Sequence, residues 1–292
     1  MNPYVVAGIS LIVIVLACCA VCVVTDRTRV AKWVASLTVV VIGAVLASLA
    51  RWELLHRPPP CTHVVVARYQ EDLRWLEPVT QWATRVFIYD KGGGEVREED
   101  RDLYARPNVT RVVLPNVGRK AHTYLHHIVA HYDALARSPQ AVVVFLQGNI
   151  RDHIRTSPGR WVRRIARQAS RSPTGASDSV PHPAGWPAMV LREYGGLTLH
   201  QQTEECLGKW QARVLGPRAP CTHQPLWWWP NALFAVQAGN VGRMPRAAYV
   251  AMLRSLEACA TCSAPVAGHY LERSWVYIVN ATPGCPDLCP AN

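Results

Sequence analysis

Charge is scarce in this chain. Only 17% of its 292 residues are Asp, Glu, Lys or Arg, half are hydrophobic, and mean hydropathy is +0.03. A disordered tail needs low hydrophobicity with high charge, so that class is excluded. Acids are the scarcer sign, 20 against 31 bases, which leaves a net charge of +11 at pH 7. That balance favours anionic partners: nucleotide diphosphates, acidic glycans or a membrane surface. No nucleic-acid-binding motif accompanies it, so nucleic acid is not an expected partner. Met1–Tyr4 contains no Lys or Arg. A cleaved secretory signal begins with basic residues, and their absence argues against one. The lipoprotein-like echo at Leu16-Ala17-Cys18 lacks the same start.

What the N-terminus does hold is two apolar runs. Val5 to Val24 has no charge over 20 residues, and Trp33 to Ala50 has none over 18. At 1.5 Å per helical residue, each approaches the thickness of a hydrocarbon core of about 30 Å. The sequence thus predicts a two-helix transmembrane hairpin in residues 1–56, with a lipid bilayer as partner. Its linker, Thr25–Lys32, is basic, and the positive-inside rule puts it in the cytoplasm. The globular domain, 62–292, is then expected to be lumenal or extracellular, in the ER, the Golgi or a virion membrane. Two triplets, Asn108-Val109-Thr110 and Asn280-Ala281-Thr282, have the form of glycosylation sites. Seven cysteines follow the hairpin: Cys61, Cys206, Cys221, Cys259, Cys262, Cys285 and Cys289. An oxidising compartment predicts disulfides, the odd one pairing with a partner chain or staying free. In the cytosol, Cys259, Cys262, Cys285 and Cys289 would instead suggest a zinc site.

Residues 57–61 form a stiff Pro-rich spacer. Beyond it, strand and helix signals alternate. His63–Arg68, Arg85–Asp90, Arg111–Leu114 and Ala141–Leu146 are short apolar runs of the kind found in strands covered on both faces. Asp72–Val79 reads as a short helix. Ala121, Leu125, Ile128, Val129 and Tyr132 recur as one helical face. Residues 156–186 read as a loop-rich insertion with one basic helix, Trp161–Gln168. Asn231–Val236 reads as a strand, Pro245–Ala258 and His269–Ile278 as closing helices, and 280–292 as a Cys/Pro-rich tail. Such alternation predicts an α/β domain, a mostly parallel sheet flanked by helices.

Ligands of open parallel sheets bind outside the carboxyl ends of the strands. Those ends here are Arg68–Asp72, Asp90-Lys91-Gly92, Asn116–Lys120 and Gln147-Gly148-Asn149. The third enters a helix through Gly118, where free N–H groups converge with Arg119 and Lys120 on the place of an anion. A plain turn with solvated cations is the alternative. His122/His126 and His127/His131 have the spacing of helical zinc ligands but lack the Glu of a hydrolytic site. Asp100-Arg101-Asp102 lies in a run of charges and reads as a solvated face.

The same motifs carry a resemblance. Val65-Val66-Ala67-Arg68-Tyr69-Gln70-Glu71-Asp72, Ile88-Tyr89-Asp90-Lys91-Gly92, Asn116-Val117-Gly118-Arg119-Lys120, Phe145-Leu146-Gln147-Gly148 and Tyr270-Leu271-Glu272-Arg273 resemble an uncharacterised family of fungal and large-virus proteins, domain of unknown function 3431. That family is similar to nucleotide-sugar-dependent glycosyltransferases of the GT-A type, with a Rossmann-like sheet. The resemblance implies transfer of a sugar from a nucleotide-sugar donor to a glycan or protein acceptor. It also implies that Arg68, Asp90, Lys91, Asn116, Gly118, Arg119, Lys120, Gln147, Gly148, Asn149 and Arg273 surround the donor diphosphate.

Many such enzymes hold Mn2+ or Mg2+ through Asp-x-Asp after a core strand. Here that strand ends without a carboxylate until Asp152, so metal independence is expected, with Asp152 and His153 the residues able to supply ligands. Leaving-group charge can be met by Arg and Lys instead. An inverting transfer needs a base for the acceptor proton. Glu272, expected at the start of the last helix, is the first candidate, and Asp152 and His153 follow. Trp228, Tyr270 and Trp275 are candidates to stack on a sugar, or simply to fill the core. The rival to an enzyme is a non-catalytic glycan-binding or virion-surface module on the same fold, motivated by the missing Asp-x-Asp.

Overall fold

The computed structural model describes residues 36–49, 61–154, 156–171, 189–191, 207–216, 226–228, 230–258 and 266–280. The chain divides into two units, Met1–Arg57 and Pro58–Asn292. In the first, 36–49 form helix α1, the described part of the second apolar run, with Leu37, Val39, Val40 and Leu46 exposed. Among the described residues no helix is long and apolar enough to cross a membrane. The transmembrane hairpin is therefore unsupported: the described residues 36–49 cover about 21 Å at 1.5 Å per residue, and the residues on either side lie outside the described ones. Val5–Val24 and the spacer up to Pro60 lie outside the described residues.

In the second unit a five-stranded sheet runs in the order β3-β2-β1-β4-β7. Strands β1 (Thr62–Arg68), β2 (Arg85–Asp90), β3 (Val109–Val113) and β4 (Val142–Gln147) are parallel, and β7 (Phe234–Gln237) closes the edge antiparallel to β4. A separate antiparallel pair joins β5 (Met189–Leu191) to β6 (Leu226–Trp228). The continuous apolar runs have a simple cause: the sheet is covered on both sides. Val65, Phe87, Tyr89, Val143 and Phe145 face one core, with α2 (Arg119–Arg137), α4 (Leu207–Leu215), α5 (Arg246–Glu257) and α6 (Val266–Asn280) packed over them. Val64, Val66, Val86, Ile88, Val144 and Leu146 face the other. Each such side chain removed from water contributes about 1.5–3 kcal/mol, which chain entropy largely offsets.

The second core is closed by α3 (Pro158–Arg171), which contains the basic helix expected at Trp161–Gln168 and extends it at both ends. Trp161, Val162, Ile165 and Ala166 are buried against the sheet, so the Arg-rich composition describes only the outer face of a core helix. Residues 172–186 lie outside the described residues.

One other expectation changes. Asn108 does not offer a free amide for glycosylation: its Nδ2 donates to the carbonyls of Thr80 and Ala83 at 2.8 and 2.9 Å. Cys61 is a free, exposed thiol. The six later cysteines lie outside the described residues, and with them the disulfide and zinc readings.

Candidate functional site

The strand order reverses at β1 and β4, since β2 and β3 follow β1 on one side and β4 lies on the other. Crevices at such switch points are the usual ligand sites. Here the crevice is filled. Trp75 Nε1 donates to the Gly148 carbonyl at 2.8 Å, and a Cβ on Gly148 would stand 2.5 Å from Glu71 Oε2. Gly148 is thus a packing glycine, and the open pocket lies to one side, between the start of α2 and α6. It is a shallow cleft whose enclosed volume is only about 10 Å³, room for about one water, and Arg119, Lys120, Ala232, His269, Glu272 and Trp275 line it.

Lys120 and Glu272, distant in sequence, meet here. Lys120 Nζ is 3.9 Å from Glu272 Oε2 and donates to Gln147 Oε1 at 3.2 Å. Burial pulls the Lys120 pKa down, and the Glu272 charge opposes that pull. Glu272 sits in the middle of α6, not at its start, because the helix begins at Val266. Its Oε1 accepts the N–H of Asn231 at 3.1 Å. His153 feels both partners: burial and then Lys120 lower its pKa, while Asp152 and Glu272 raise it. Asp152 accepts from Asn149 Nδ2 at 2.7 Å. The end of β4 thus reaches Lys120 through Gln147, and His153 lies within range of the Lys120 and Glu272 charges, while Asp152 is held by Asn149.

Backbone geometry marks the same place. Gly118 and Arg119 are both left-handed, with φ of 63° and 51°, and so are Asn231 and Ala232, at 63° and 45°. Left-handed non-glycine residues are costly and cluster at functional sites. Arg119 and Ala232 both line the pocket. Asn231 and Ala232 were invisible to sequence reasoning; only the tolerance of Asn for this conformation hinted at a turn. At Gly118 both conformation and space demand glycine, since a Cβ would meet His122 Cβ at 2.9 Å. Asn116 is exposed in the turn before it.

Other predicted donor residues turn inward. Arg68 is buried, with Nη1 3.0 Å from Asp90 Oδ2 and Nη2 2.7 Å from Asp100 Oδ2. Arg111 adds a second bond to Asp90 at 2.7 Å. Burial opposes the charge of Asp90, but Arg111, the Gly92 N–H and Arg68 hold its pKa below the ordinary value. Asp100 was expected on a solvated face. It is 1% exposed, and burial raises its pKa. Only Arg101 and Asp102 of that triplet are exposed. Lys91 is buried too, its Nζ donating to the carbonyls of Val117 at 2.5 Å and Arg119 at 2.6 Å. Burial lowers its pKa to about 8. Arg68, Asp90 and Lys91 therefore build the loops around the site and do not line it.

The stacking candidates divide. Trp275 is fully buried, with centroids 5.4 Å from Phe234 and 5.8 Å from Tyr124, and Tyr270 is 2% exposed. Both are core aromatics, though Trp275 reaches the pocket floor. Trp228 is partly exposed, and the Arg273 guanidinium lies over it at 4.9 Å. Arg273 also donates to the His269 carbonyl, so it braces α6 instead of reaching into the pocket.

The histidines of α2 pack as an array between that helix and the sheet. His127 Nδ1 is 2.8 Å from the Tyr89 hydroxyl, its ring lies 4.6 Å from that of His131, and His122 Nε2 is 3.2 Å from Glu257. Among the described residues no three His, Cys, Asp or Glu side chains are placed to hold a metal ion. Neither the array nor Asp152 with His153 fits Mn2+ or Mg2+, which demand several converging oxygen ligands.

Residues 64–161 match the model of a family described as "Protein of unknown function (DUF3431)". The match runs from β1 to the first turn of α3 and carries no activity with it. No curated protein and no solved structure matches the chain.

Proposed function

We propose that the chain is a glycosyltransferase that moves a sugar from a nucleotide-sugar donor to a glycan or protein acceptor with inversion. The supporting observation is the meeting of Glu272 with Lys120 and Arg119 in one pocket whose walls include two left-handed non-glycine residues. The enclosed space, about 10 Å³, holds no more than a water, so in this reading the donor lies across the mouth of the cleft with its charged groups turned to Lys120 and Arg119.

In this reading Glu272 takes the proton of the acceptor hydroxyl. The freed oxygen forms a bond to the anomeric carbon as the bond from that carbon to the phosphate oxygen breaks. The electron pair leaves with the nucleoside diphosphate, and Lys120, Arg119 and the free N–H groups at the start of α2 receive the charge. No step runs through a metal. A panel of nucleotide sugars tests the proposal by release of nucleoside diphosphate, with Lys120→Ala as the comparison. The expected result is release with at least one donor and weaker donor binding by the variant. Absence of both binding and release across the panel would overturn it.

One observation favours the second reading, a non-catalytic glycan-binding module. Arg68, Asp90 and Lys91 are all committed to internal bonds, as a scaffold needs. Binding of glycans without any binding of donor would decide for that module.

A further inference from the structure

Helix α3 has five arginines and no acidic residue: Arg160, Arg163, Arg164, Arg167 and Arg171. With 3.6 residues per turn, all five fall within an arc of about 100°, along roughly 16 Å of helix. Gly159, Trp161, Val162, Ile165 and Ala166 occupy the opposite arc and are buried. Arg160, Arg164 and Arg171 are exposed, and Arg163 is steadied over the Trp82 ring at 5.8 Å. Burial and then the neighbouring charges of Arg163 and Arg171 lower the pKa of Arg167, so the guanidinium groups crowd one another. The helix covers the face of the sheet opposite α2 and α6, so a partner on the stripe leaves the pocket open.

The partner must be anionic and extended. The same chain has two uncharged apolar runs of 20 and 18 residues, and the domain follows them after one Pro-rich spacer. Apolar runs of this length favour contact with a bilayer even where neither is shown to span it, and every Arg near an anionic surface adds attraction. We infer that the arginine stripe of α3 docks the domain on a bilayer bearing anionic phospholipid headgroups, which sets the domain on the cytoplasmic side, against the lumenal placement expected from sequence. The apolar side of α3 belongs to the core, so the helix does not insert. The contact is electrostatic and salt-sensitive. It is independent of sugar transfer.

Vesicle flotation of the full chain tests it, using phosphatidylcholine with and without phosphatidylserine. Whatever the apolar runs contribute is common to both, so the readout is the increment due to phosphatidylserine. That increment is expected at low salt and lost at high salt. Arg160→Gln with Arg164→Gln should weaken it roughly thirtyfold, with melting unchanged because both side chains are exposed. Arg160→Lys with Arg164→Lys should keep it, because a charged surface asks for charge and not for a bidentate fork. No increment in the wild type, or an increment untouched in the glutamine variant, would overturn the inference. So would a soluble acidic polysaccharide or single-stranded nucleic acid that competes it away and is itself lost on the lysine swap.

Discussion

The ammonium of Lys120 lies 3.9 Å from one carboxylate oxygen of Glu272, while the other oxygen accepts the N–H of the left-handed Asn231. Three segments far apart in sequence are joined at one carboxylate: the first turn of α2, the turn before β7 and the middle of α6. The position of Glu272 is thus set by its partners and not by its own helix alone.

Replacing Glu272 by Gln keeps the size and most of the hydrogen bonding but removes the proton acceptor. Turnover should fall by about 10²–10⁴, with donor binding and melting temperature nearly unchanged. Thermal melting, nucleotide binding and turnover on one preparation check this. Turnover close to wild type would remove Glu272 from the mechanism and bring forward Asp152 or His153.

Arg68 joins Asp90 and Asp100 away from water. Arg68→Met leaves Asp100 buried without this partner, while Asp90 keeps Arg111. Breaking a buried pair from one side costs about 3–5 kcal/mol, and urea unfolding should show a loss of that order. A loss below 1 kcal/mol would return Asp100 to the solvated face expected from sequence.

Stability should fall on acidification through the histidine array. Burial is the largest cause lowering the pKa of His63, His122, His126, His127 and His131 from 6.5. Arg85 and Lys91 add to the effect, while Glu257 opposes it at His122, whose pKa reaches about 4. Below pH 6.5 the unfolded chain binds protons that the folded one refuses. Folding is therefore fully supported above that pH and loses support as pH falls towards 4. For the buried His122 and His127 the slope approaches about 1.4 kcal/mol per pH unit each. Melting temperature should drop between pH 7 and pH 5, and His127→Phe should flatten the drop. A flat profile in the wild type would contradict the array.

Gly118→Ala should destabilise by about 1–3 kcal/mol, from the left-handed conformation and from the close approach to His122 and Leu256. Because the substitution shifts the start of α2, donor affinity should fall with it. Loss of stability with unaltered affinity would separate this turn from the binding site.

The sheet was legible because a strand covered on both faces leaves a continuous apolar run, as in Val64-Val65-Val66 and Val142-Val143-Val144. The helix at Trp161–Gln168 was legible but its place in the core was not, because its Arg-rich outer face dominates composition although Trp161, Val162, Ile165 and Ala166 have helical spacing. Lys120 and the loop to His153 were singled out by their position at strand and helix ends, whereas Glu272 was singled out from an expected helix start that the structure moves to Val266. Arg68, Asp90 and Lys91 occupy the same kind of position yet face inward, and residue type alone cannot tell a loop-building charge from a pocket-lining one. Asp100 was hidden for the same reason. The left-handed Ala232 left no trace in sequence at all.

The strand order also bears on how the chain finds its structure. β1, β2 and β3 are consecutive, so they can pair early through short crossovers. The other edge of β1 waits for β4, and Val65 meets Phe145 only after the whole of α2 has been laid down. Closing so long a loop comes late and makes parallel sheets slow to form. Until then an all-apolar strand edge stands open to any neighbouring chain, which is the hazard of edge pairing. The central strand, the most protected in the finished molecule, is thus the most vulnerable during synthesis, and truncation before Val142 should leave a product that aggregates rather than a smaller domain.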